Sequence, residues 1–168
     1  MKKIGVLSQI KFDIEEVAPQ KDYNFGKCKL ATASFGHGIA TTILQLAKGY
    51  AILSNGGFDI NPTLISQNTE TYKKGSRLLN KGVSEKVVSA LRKIVNTNEG
   101  TAKFANVPNY EIGGKTGTAD KVLDGVYSEG KVNTFASIFP TSNPKFVFVI
   151  MLDLSLIHIS EPTRLRRI

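Results

Sequence analysis

Residues 113–120, with the sequence GGKTGTAD, combine several groups that could carry out chemistry. The Lys115 ammonium could assist a proton transfer and attract an anionic substrate, and the Thr116 hydroxyl could bind a terminal carboxylate. Gly117 would let the backbone of an acyl peptide lie close against a strand edge, where the peptide would bind as an additional strand. This combination favours acyl-transfer chemistry on a peptide beside a serine nucleophile.

A nucleotide-binding loop is the alternative interpretation of GGKT. A P-loop has a further glycine five positions before Gly114, and a helix follows its Ser or Thr. Position 109 is Asn, and the residues after Thr116 run into a polar stretch that contains glycine. Because both conditions fail, we treat a nucleotide-binding module as the competing hypothesis from another functional class.

The segment before residue 43 contains weaker motifs. GHGIAT, from Gly36, nearly matches a dinucleotide-binding fingerprint, but Thr41 replaces its third glycine and KLATAS makes a poor buried strand. His37 is interpreted as a loop residue and Cys28 as inert. Ser34 does not fit a nucleophile elbow because position 32 is Thr.

Composition excludes several other classes of function. The chain has 168 residues and a net charge of +8, but its basic residues form separated pairs and triplets without interleaved aromatic residues, so we expect no nucleic-acid partner. One Cys and two His cannot form a usual zinc site or an intrachain disulfide. The longest apolar run, Phe146–Leu152, is far shorter than the roughly 20 residues of a membrane span. We identify no anchor or targeting segment in this chain.

Two amphipathic helices are predicted upstream of the GGKTGTAD segment. In the first, Thr42 and Gln45 form a capping box, and Gly56 with Gly57 provides a left-handed exit. Its apolar positions at helical spacing are Ile43, Leu44, Leu46, Ala47, Tyr50, Ala51 and Leu53. The second runs from about Ser84 to Asn96 and buries Val87, Val88, Leu91, Ile94 and Val95.

An antiparallel meander is predicted after the helices. Its strands are 110–118, 134–139 and 145–152, with a polar loop over 120–133 and a turn at PTSNP. A further short strand is predicted near Ile10–Ile14. In the third strand of the meander, KFVFVIML, the residues that point to either face of the sheet are apolar. We therefore expect this strand to be buried on both faces, between helices. The fold class is therefore α+β, an antiparallel sheet flanked by helices.

Several segments, in this order and spacing, resemble the C-terminal part of the transpeptidase domain of class B penicillin-binding proteins, above all their division-specific members. They are SFGHGIATTILQLAKGYAILSNGGF, a helix of the Ser84 type, GGKTGTADK and NTFASIFPTSNPKFVFVIMLD. The resemblance covers residues 1–153. It departs from the family at Ile43, where proline is usual. It implies an incomplete penicillin-binding transpeptidase or serine β-lactamase-like fold.

The resemblance also implies roles for four residues. Lys115, Thr116 and Gly117 correspond to the third active-site motif, and the Thr118 backbone N–H corresponds to an oxyanion-hole donor. The implied partners are D-Ala-D-Ala stem peptides and β-lactams, with no cofactor. The implied reaction cross-links peptidoglycan through an acyl-serine. A D,D-carboxypeptidase or a β-lactam sensor of the same fold is the alternative. The implied full-length parent is periplasmic, is anchored in the inner membrane and binds divisome proteins.

The nucleophile is the missing part of this interpretation. The family motifs S-x-x-K and S-x-N have chance counterparts at Ser8–Lys11 and Ser66–Asn68. Ser66 lies on the wrong side of SFGHG, and the residues after Lys11 do not continue an apolar-periodic helix. We therefore expect the chain to lack its own nucleophile, so that the parent is a serine-type transpeptidase and activity of this chain alone is uncertain.

The end of the chain also departs from the family. Residues 154–168 contain Pro162 and no apolar helix, and they resemble a translated read-through rather than a natural C-terminus. Without a closing helix and upstream strands, the strand at 145–152 would expose an apolar face and an unpaired edge. We expect poor solubility.

Overall fold

A computed structural model of the chain describes residues 4–14, 26–34, 36, 38–66, 75–123 and 126–154. Helices precede an antiparallel sheet in which, among these residues, three strands lie in the order β1-β2-β3. This arrangement confirms the predicted α+β class. The elements are α1 (Lys27–Ala33), α2 (Ile43–Ser54), α3 (Lys81–Asn96), a short 3₁₀ helix (Lys103–Ala105), β1 (Gly113–Leu123), β2 (Val126–Phe139) and β3 (Phe146–Leu154).

Both ends of α2 follow from its sequence. The Thr42 hydroxyl accepts a hydrogen bond from the Gln45 amide, and the Gln45 side chain accepts one from the Thr42 amide, which completes the capping box. After the helix, Gly56 and Gly57 have φ angles of 86° and 88°, the left-handed conformation that glycine adopts without strain. The predicted capping box and exit are confirmed.

The buried face of α2 differs from the predicted one. Gln45, Gly49 and Ile52 are its buried residues, whereas Ile43 is 45% exposed. Gln45 tolerates burial because its polar atoms are paired: Oε1 accepts from the Thr42 amide at 2.9 Å, and Nε2 donates to the Ser8 carbonyl at 2.7 Å. The Gln45 side chain thereby connects α2 to the N-terminal segment.

Helix α3 begins three residues earlier than predicted. The Asn80 side chain accepts a hydrogen bond of 2.9 Å from the Gly82 amide and caps the helix. The Ser84 hydroxyl donates to the Leu53 carbonyl near the end of α2. Leu91 and Val95 are buried as expected from the helical stripe, whereas Val87, Val88 and Ile94, also predicted to be buried, are only half-buried.

The β1–β2 hairpin is longer than predicted. Residues 120–123 and 126–133, expected in a loop, continue the two strands, while β1 starts at Gly113 and not at Tyr110. A bulge lies between Asp120 and Val122. The polar composition was misleading, because the backbone of this part of the hairpin is satisfied by cross-strand pairing.

The prediction that β3 is buried on both faces is wrong for the described residues. Val147 and Val149 are half-buried on the same face as Ile138 and Ala136, which are 0% and 3% exposed. Helix α2 contacts β2 and β3, and α3 contacts β1. The alternate residues Phe146, Phe148, Ile150 and Leu152 are 42–58% exposed because no described element covers that face.

The N-terminal segment also differs from expectation. Residues 10–14 form no strand. Ile10 is buried, and the Asp13 carboxylate accepts hydrogen bonds from the Thr63 hydroxyl at 2.7 Å and the Leu64 amide at 2.6 Å. Helix α1 replaces what was interpreted as a poor strand. His37, Gln67, Asn68 and residues 155–168 lie outside the described residues. Among the helices of the described part, none is long and apolar enough to cross a bilayer.

Candidate functional site

Strand β1 carries all four candidate residues along one edge of the sheet. Its inner side pairs with β2, which places Lys115 opposite Ala136, Thr116 opposite Phe135 and Gly117 opposite Thr134. No described strand pairs with its outer side. An edge strand is the kind of element to which an extended peptide can add as a further strand.

Thr116 and Thr118 lie on the same face of β1, because alternate residues of a strand point the same way. The Thr118 hydroxyl donates a hydrogen bond of 2.9 Å to Asn133 Oδ1 on β2. A hollow of about 250 Å³ adjoins both threonines. Its lining consists of Thr116, Gly117, Thr118, Asn133, Thr134, Phe135, Ile150 and Leu152. The hollow thus combines three threonines and an asparagine with the apolar residues Phe135, Ile150 and Leu152.

Lys115 is directed away from the two threonine hydroxyls. Its side chain is exposed, and Nζ donates to the Thr116 carbonyl oxygen at 2.6 Å. The structure therefore brings Thr116 and Thr118 together on one face and places Lys115 on the opposite face of the same edge. A positive charge is held beside the edge without a carboxylate partner among the described ion pairs.

Arg92 fixes the start of β1, a role that the sequence analysis missed. From α3, its Nη1 donates to the Ile112 carbonyl at 2.9 Å and to Asn106 Oδ1 at 3.2 Å, while Nη2 reaches Asn96 Oδ1 at 3.3 Å. An arginine on the edge of an amphipathic stripe has the same sequence pattern as a solvated surface charge. Only the fold shows that it joins α3 to the residue preceding β1.

Glu111 connects the same region to the β2–β3 turn. Its carbonyl accepts from the Thr141 amide at 2.8 Å, and its carboxylate accepts from the Ser142 amide at 3.0 Å. The hydrogen bonds from Ser142, with a smaller Coulombic contribution from Arg92, lower the pKa of the Glu111 carboxyl. The first residues of β1 are thus held from two sides.

Gly113 permits α3 to approach β1 closely. A Cβ at this position would lie 2.7 Å from Thr141 Cγ2 and 3.0 Å from the Arg92 backbone nitrogen. By contrast, a Cβ at Gly117 would meet only Thr134 Cβ, at 4.0 Å. Gly113 is required by packing, while Gly117 leaves open space beside the candidate site.

The geometry argues against the competing motifs. After Thr116, β1 continues to Leu123 with no helix, so GGKT is not a P-loop. GHGIAT follows helix α1 and not a strand, which is incompatible with a dinucleotide-binding fingerprint. Ser8 and Lys11 lie in a non-helical segment, unlike an S-x-x-K pair at a helix start. No group of metal-ligating side chains is found among the described residues.

A sheet edge that carries Lys-Thr-Gly, with helices against one face, defines the class of penicillin-interacting proteins. The family model described as "Penicillin binding protein transpeptidase domain" matches residues 1–163. The chain therefore belongs to the penicillin-binding protein transpeptidase domain family.

Curated relatives agree with this assignment. The chain is 34% identical over 144 residues to the "Peptidoglycan D,D-transpeptidase FtsI homolog" of Mesostigma viride, a match that covers 73% of this chain and 24% of that protein. It is 33% identical over 158 residues to the FtsI peptidoglycan D,D-transpeptidase of Buchnera aphidicola, covering 87% of this chain and 27% of that protein. The chain thus spans about a quarter of the length of these relatives.

Solved structures show the same fold. The apo transpeptidase domain of penicillin-binding protein 3 from Burkholderia pseudomallei matches with a TM-score of 0.82 at 27% identity, over 90% of this chain and 47% of that one. Penicillin-binding protein 3 from Mycobacterium tuberculosis, complexed with aztreonam, matches with a TM-score of 0.79 at 26% identity, over 90% and 38%. These matches place the fold within the penicillin-binding transpeptidase domains.

Proposed function

We propose that this chain forms the peptide-binding edge of a peptidoglycan D,D-transpeptidase that cross-links stem peptides through an acyl-serine. Lys115, Thr116, Gly117 and Thr118 are the site residues of this proposal. The observation that carries it is the placement of this motif on a sheet edge that no described strand occupies. An acyl-D-Ala-D-Ala peptide would extend the sheet there through main-chain hydrogen bonds.

Each side chain of the edge has a distinct task in this proposal. The Thr116 hydroxyl binds the terminal carboxylate of the peptide, while the Thr118 hydroxyl on the same face donates its one proton to Asn133 Oδ1. Gly117 keeps side-chain bulk away from the substrate backbone, in agreement with the open space beside it. The Thr118 N–H stabilises the oxyanion, and the exposed Lys115 ammonium attracts the anionic substrate.

The reaction needs a serine supplied from outside the four-residue motif. That serine attacks the penultimate D-Ala carbonyl, its proton passes to a base, and the terminal D-Ala leaves as the amine. The amine of a neighbouring stem peptide then attacks the ester and regenerates the serine hydroxyl. Because Ser8 and Lys11 are not on a helix, we assign the nucleophile to the parent protein and not to Ser8.

The names of the relatives favour transpeptidation over the carboxypeptidase or sensor alternatives. Both quoted relatives are D,D-transpeptidases of the FtsI type. By analogy with the aztreonam complex of the Mycobacterium tuberculosis protein, β-lactams are proposed as ligands of the same edge. The parent would be a periplasmic protein, anchored in the inner membrane, that acts with divisome proteins.

The proposal is tested by titrating the ¹⁵N-labelled chain with diacetyl-Lys-D-Ala-D-Ala and following backbone amide shifts. We expect millimolar binding with shifts concentrated at Lys115–Thr118. The L-Ala-L-Ala isomer and the C-terminal amide of the same peptide are the matched controls, and both should bind much more weakly.

Two variants separate the proposed contacts from general folding. Thr116→Val removes the hydroxyl that is proposed to bind the carboxylate and should weaken binding several-fold, whereas Thr63→Val removes a distant hydroxyl and should not. Equal responses to the D,D and L,L peptides, or shifts spread evenly over the sheet, would refute the proposed site.

A further inference from the structure

Asn133 occupies the position on β2 directly opposite Thr118 on β1. The Thr118 hydroxyl donates a hydrogen bond of 2.9 Å to Asn133 Oδ1, so the two side chains meet on the same face of the sheet. On the other side, the partner of Asn133 on β3 is Leu152, whose side chain has no hydrogen-bonding group. The orientation of the Asn133 amide is therefore fixed from the side of β1, the strand that carries the proposed site.

This hydrogen bond decides which groups can bind a carboxylate. A threonine hydroxyl has one proton, and the proton of Thr118 is used by Asn133. A carboxylate only accepts hydrogen bonds, so the Thr118 hydroxyl is not a donor to it in this arrangement. The C-terminal carboxylate of the proposed peptide therefore needs a second donor beside the Thr116 hydroxyl.

The nitrogen of the Asn133 amide can supply this donor. An asparagine amide carries two N–H groups, and none of the described residues bonds to those of Asn133. Thr116 lies opposite Phe135, so Asn133 is its diagonal neighbour on β2. Diagonal neighbours are roughly 7–8 Å apart, a separation that a carboxylate with two oxygens can bridge. Thr116 and Asn133 also line the same hollow of about 250 Å³.

We propose that Asn133 is a substrate-binding residue whose Nδ2 donates to the terminal carboxylate of the acyl-D-Ala-D-Ala peptide, together with the Thr116 hydroxyl. This inference rests on the proposed function and adds a specificity residue outside the Lys-Thr-Gly motif. Because Nδ2 and the Thr116 hydroxyl both donate, the site selects a free C-terminal acid over a C-terminal amide.

The neighbouring cation on this face has its own partner. Lys131 lies two residues before Asn133, on the same face of β2, and forms an ion pair with Asp120 across the two strands. Lys115 lies on the opposite face of β1. Selection of the acid in this proposal therefore depends on the direction of neutral N–H and O–H donors.

The inference is tested with diacetyl-Lys-D-Ala-D-Ala and the C-terminal amide of the same peptide. Asn133→Asp keeps the shape of the side chain and the acceptor for Thr118 but replaces both N–H groups by an oxygen. This variant should bind the acid about tenfold more weakly, while binding of the amide, whose N–H groups can donate to the new carboxylate, should not fall. Asn98→Asp makes the same change beyond the end of α3 and should keep the wild-type preference for the acid.

The side-chain NH₂ signals of the ¹⁵N-labelled chain give a direct measurement. The pair of signals with nuclear Overhauser contacts to Thr118 belongs to Asn133. This pair should shift when the acid is added and much less when the amide is added. The NH₂ signals of Asn96 and Asn106, whose side-chain oxygens accept from Arg92, should stay in place. If Asn133→Asp does not fold, the shifts of the wild-type side chain decide alone.

The outcomes separate this inference from the proposed function. If Thr116→Val weakens binding of the acid but Asn133→Asp leaves the ratio of acid to amide affinity unchanged, the inference fails and the proposed function stands. An equal loss of both affinities in Asn133→Asp would also overturn the inference, because it would show that Asn133 only supports the strand. A wild-type chain that binds neither peptide would refute the proposed function, and the role of Asn133 with it.

Discussion

Arg92 Nη1 lies 2.9 Å from the carbonyl oxygen of Ile112, which joins α3 to the residue directly before Gly113, the first residue of β1. Arg92→Ala removes this bond and those to Asn106 and Asn96. We expect a loss of about 1–2 kcal/mol in the free energy of unfolding, because charge-assisted hydrogen bonds to a part-buried acceptor are lost. Urea denaturation followed by circular dichroism measures it.

The control for Arg92 lies next to it on the same helix. Lys93→Ala removes an exposed basic side chain and should change stability by less than about 0.5 kcal/mol. Hydrogen exchange should show faster exchange at the first amides of β1 in Arg92→Ala only. Equal effects of the two substitutions would contradict the role assigned to Arg92.

Gly113 and Gly117 should respond differently to alanine. Gly113→Ala would bring Cβ within 2.7 Å of Thr141 and 3.0 Å of the Arg92 backbone, so we expect a loss of about 1–3 kcal/mol in folding stability from overpacking. Gly117→Ala has free space and should fold normally while weakening binding of the D-Ala-D-Ala peptide. Thermal melts and the peptide titration, run on both variants, measure the two effects separately.

Gln45 should be the most sensitive polar position of α2. Gln45→Met keeps the length of the side chain but leaves the Ser8 carbonyl without the donor of this part-buried hydrogen bond and removes half of the capping box. We expect a loss of about 1–3 kcal/mol in folding stability. Lys86→Met, on the exposed face of α3, makes a similar replacement in solvent and should be nearly neutral. A destabilisation of similar size in both variants would show that Gln45 is not a special contact.

Glu111 makes folding stability depend on pH. Because its pKa is lowered in the folded chain, its contribution is complete above the unfolded pKa of about 4.3 and is lost as the pH falls through the folded value. The pKa of Asp13 is also lowered, chiefly by hydrogen bonding to Thr63, and acts in the same direction. The melting temperature should therefore fall on acidification below about pH 4.

Glu111→Gln tests this assignment. The variant should be less stable than wild type at pH 7 and should show a shallower loss of melting temperature on acidification. Glu99→Gln, an exposed carboxylate change beyond the end of α3, serves as the control and should retain the wild-type profile. A wild-type profile for Glu111→Gln would contradict the role of the Ser142 hydrogen bond.

Local signals in the sequence predicted the helices better than the sheet. The capping box at Thr42 and the glycine exit at Gly56 are local interactions, and both are confirmed. The length of the hairpin was not predictable from composition, because residues 120–123 continue β1 through pairing with β2, which a local pattern does not reveal. The burial of Gln45 depends on Ser8, which is 37 residues away in the chain.

The motif was enough to suggest the candidate site, but the sequence did not reveal the residues that hold the start of β1 in place. GGKTGT identifies the edge because the glycines and hydroxyls lie adjacent in sequence. Arg92 and Glu111 act through the Ile112 carbonyl and the Ser142 amide, and their sequence patterns do not distinguish them from surface charges. The one-sided exposure of β3 was likewise missed, because the apolar alternation cannot show which face has a covering element.

The bulge between Asp120 and Val122 divides the β1–β2 ladder into two parts. The part from Gly113 to Asp120 keeps one continuous register with β2 and is held at its start by Arg92 and Glu111. A bulge locally increases twist and interrupts the ladder. The added twist therefore lies beyond the stretch that carries Lys115–Thr118, and the alignment of Lys115, Thr116 and Gly117 with Ala136, Phe135 and Thr134 belongs to the uninterrupted part of the ladder.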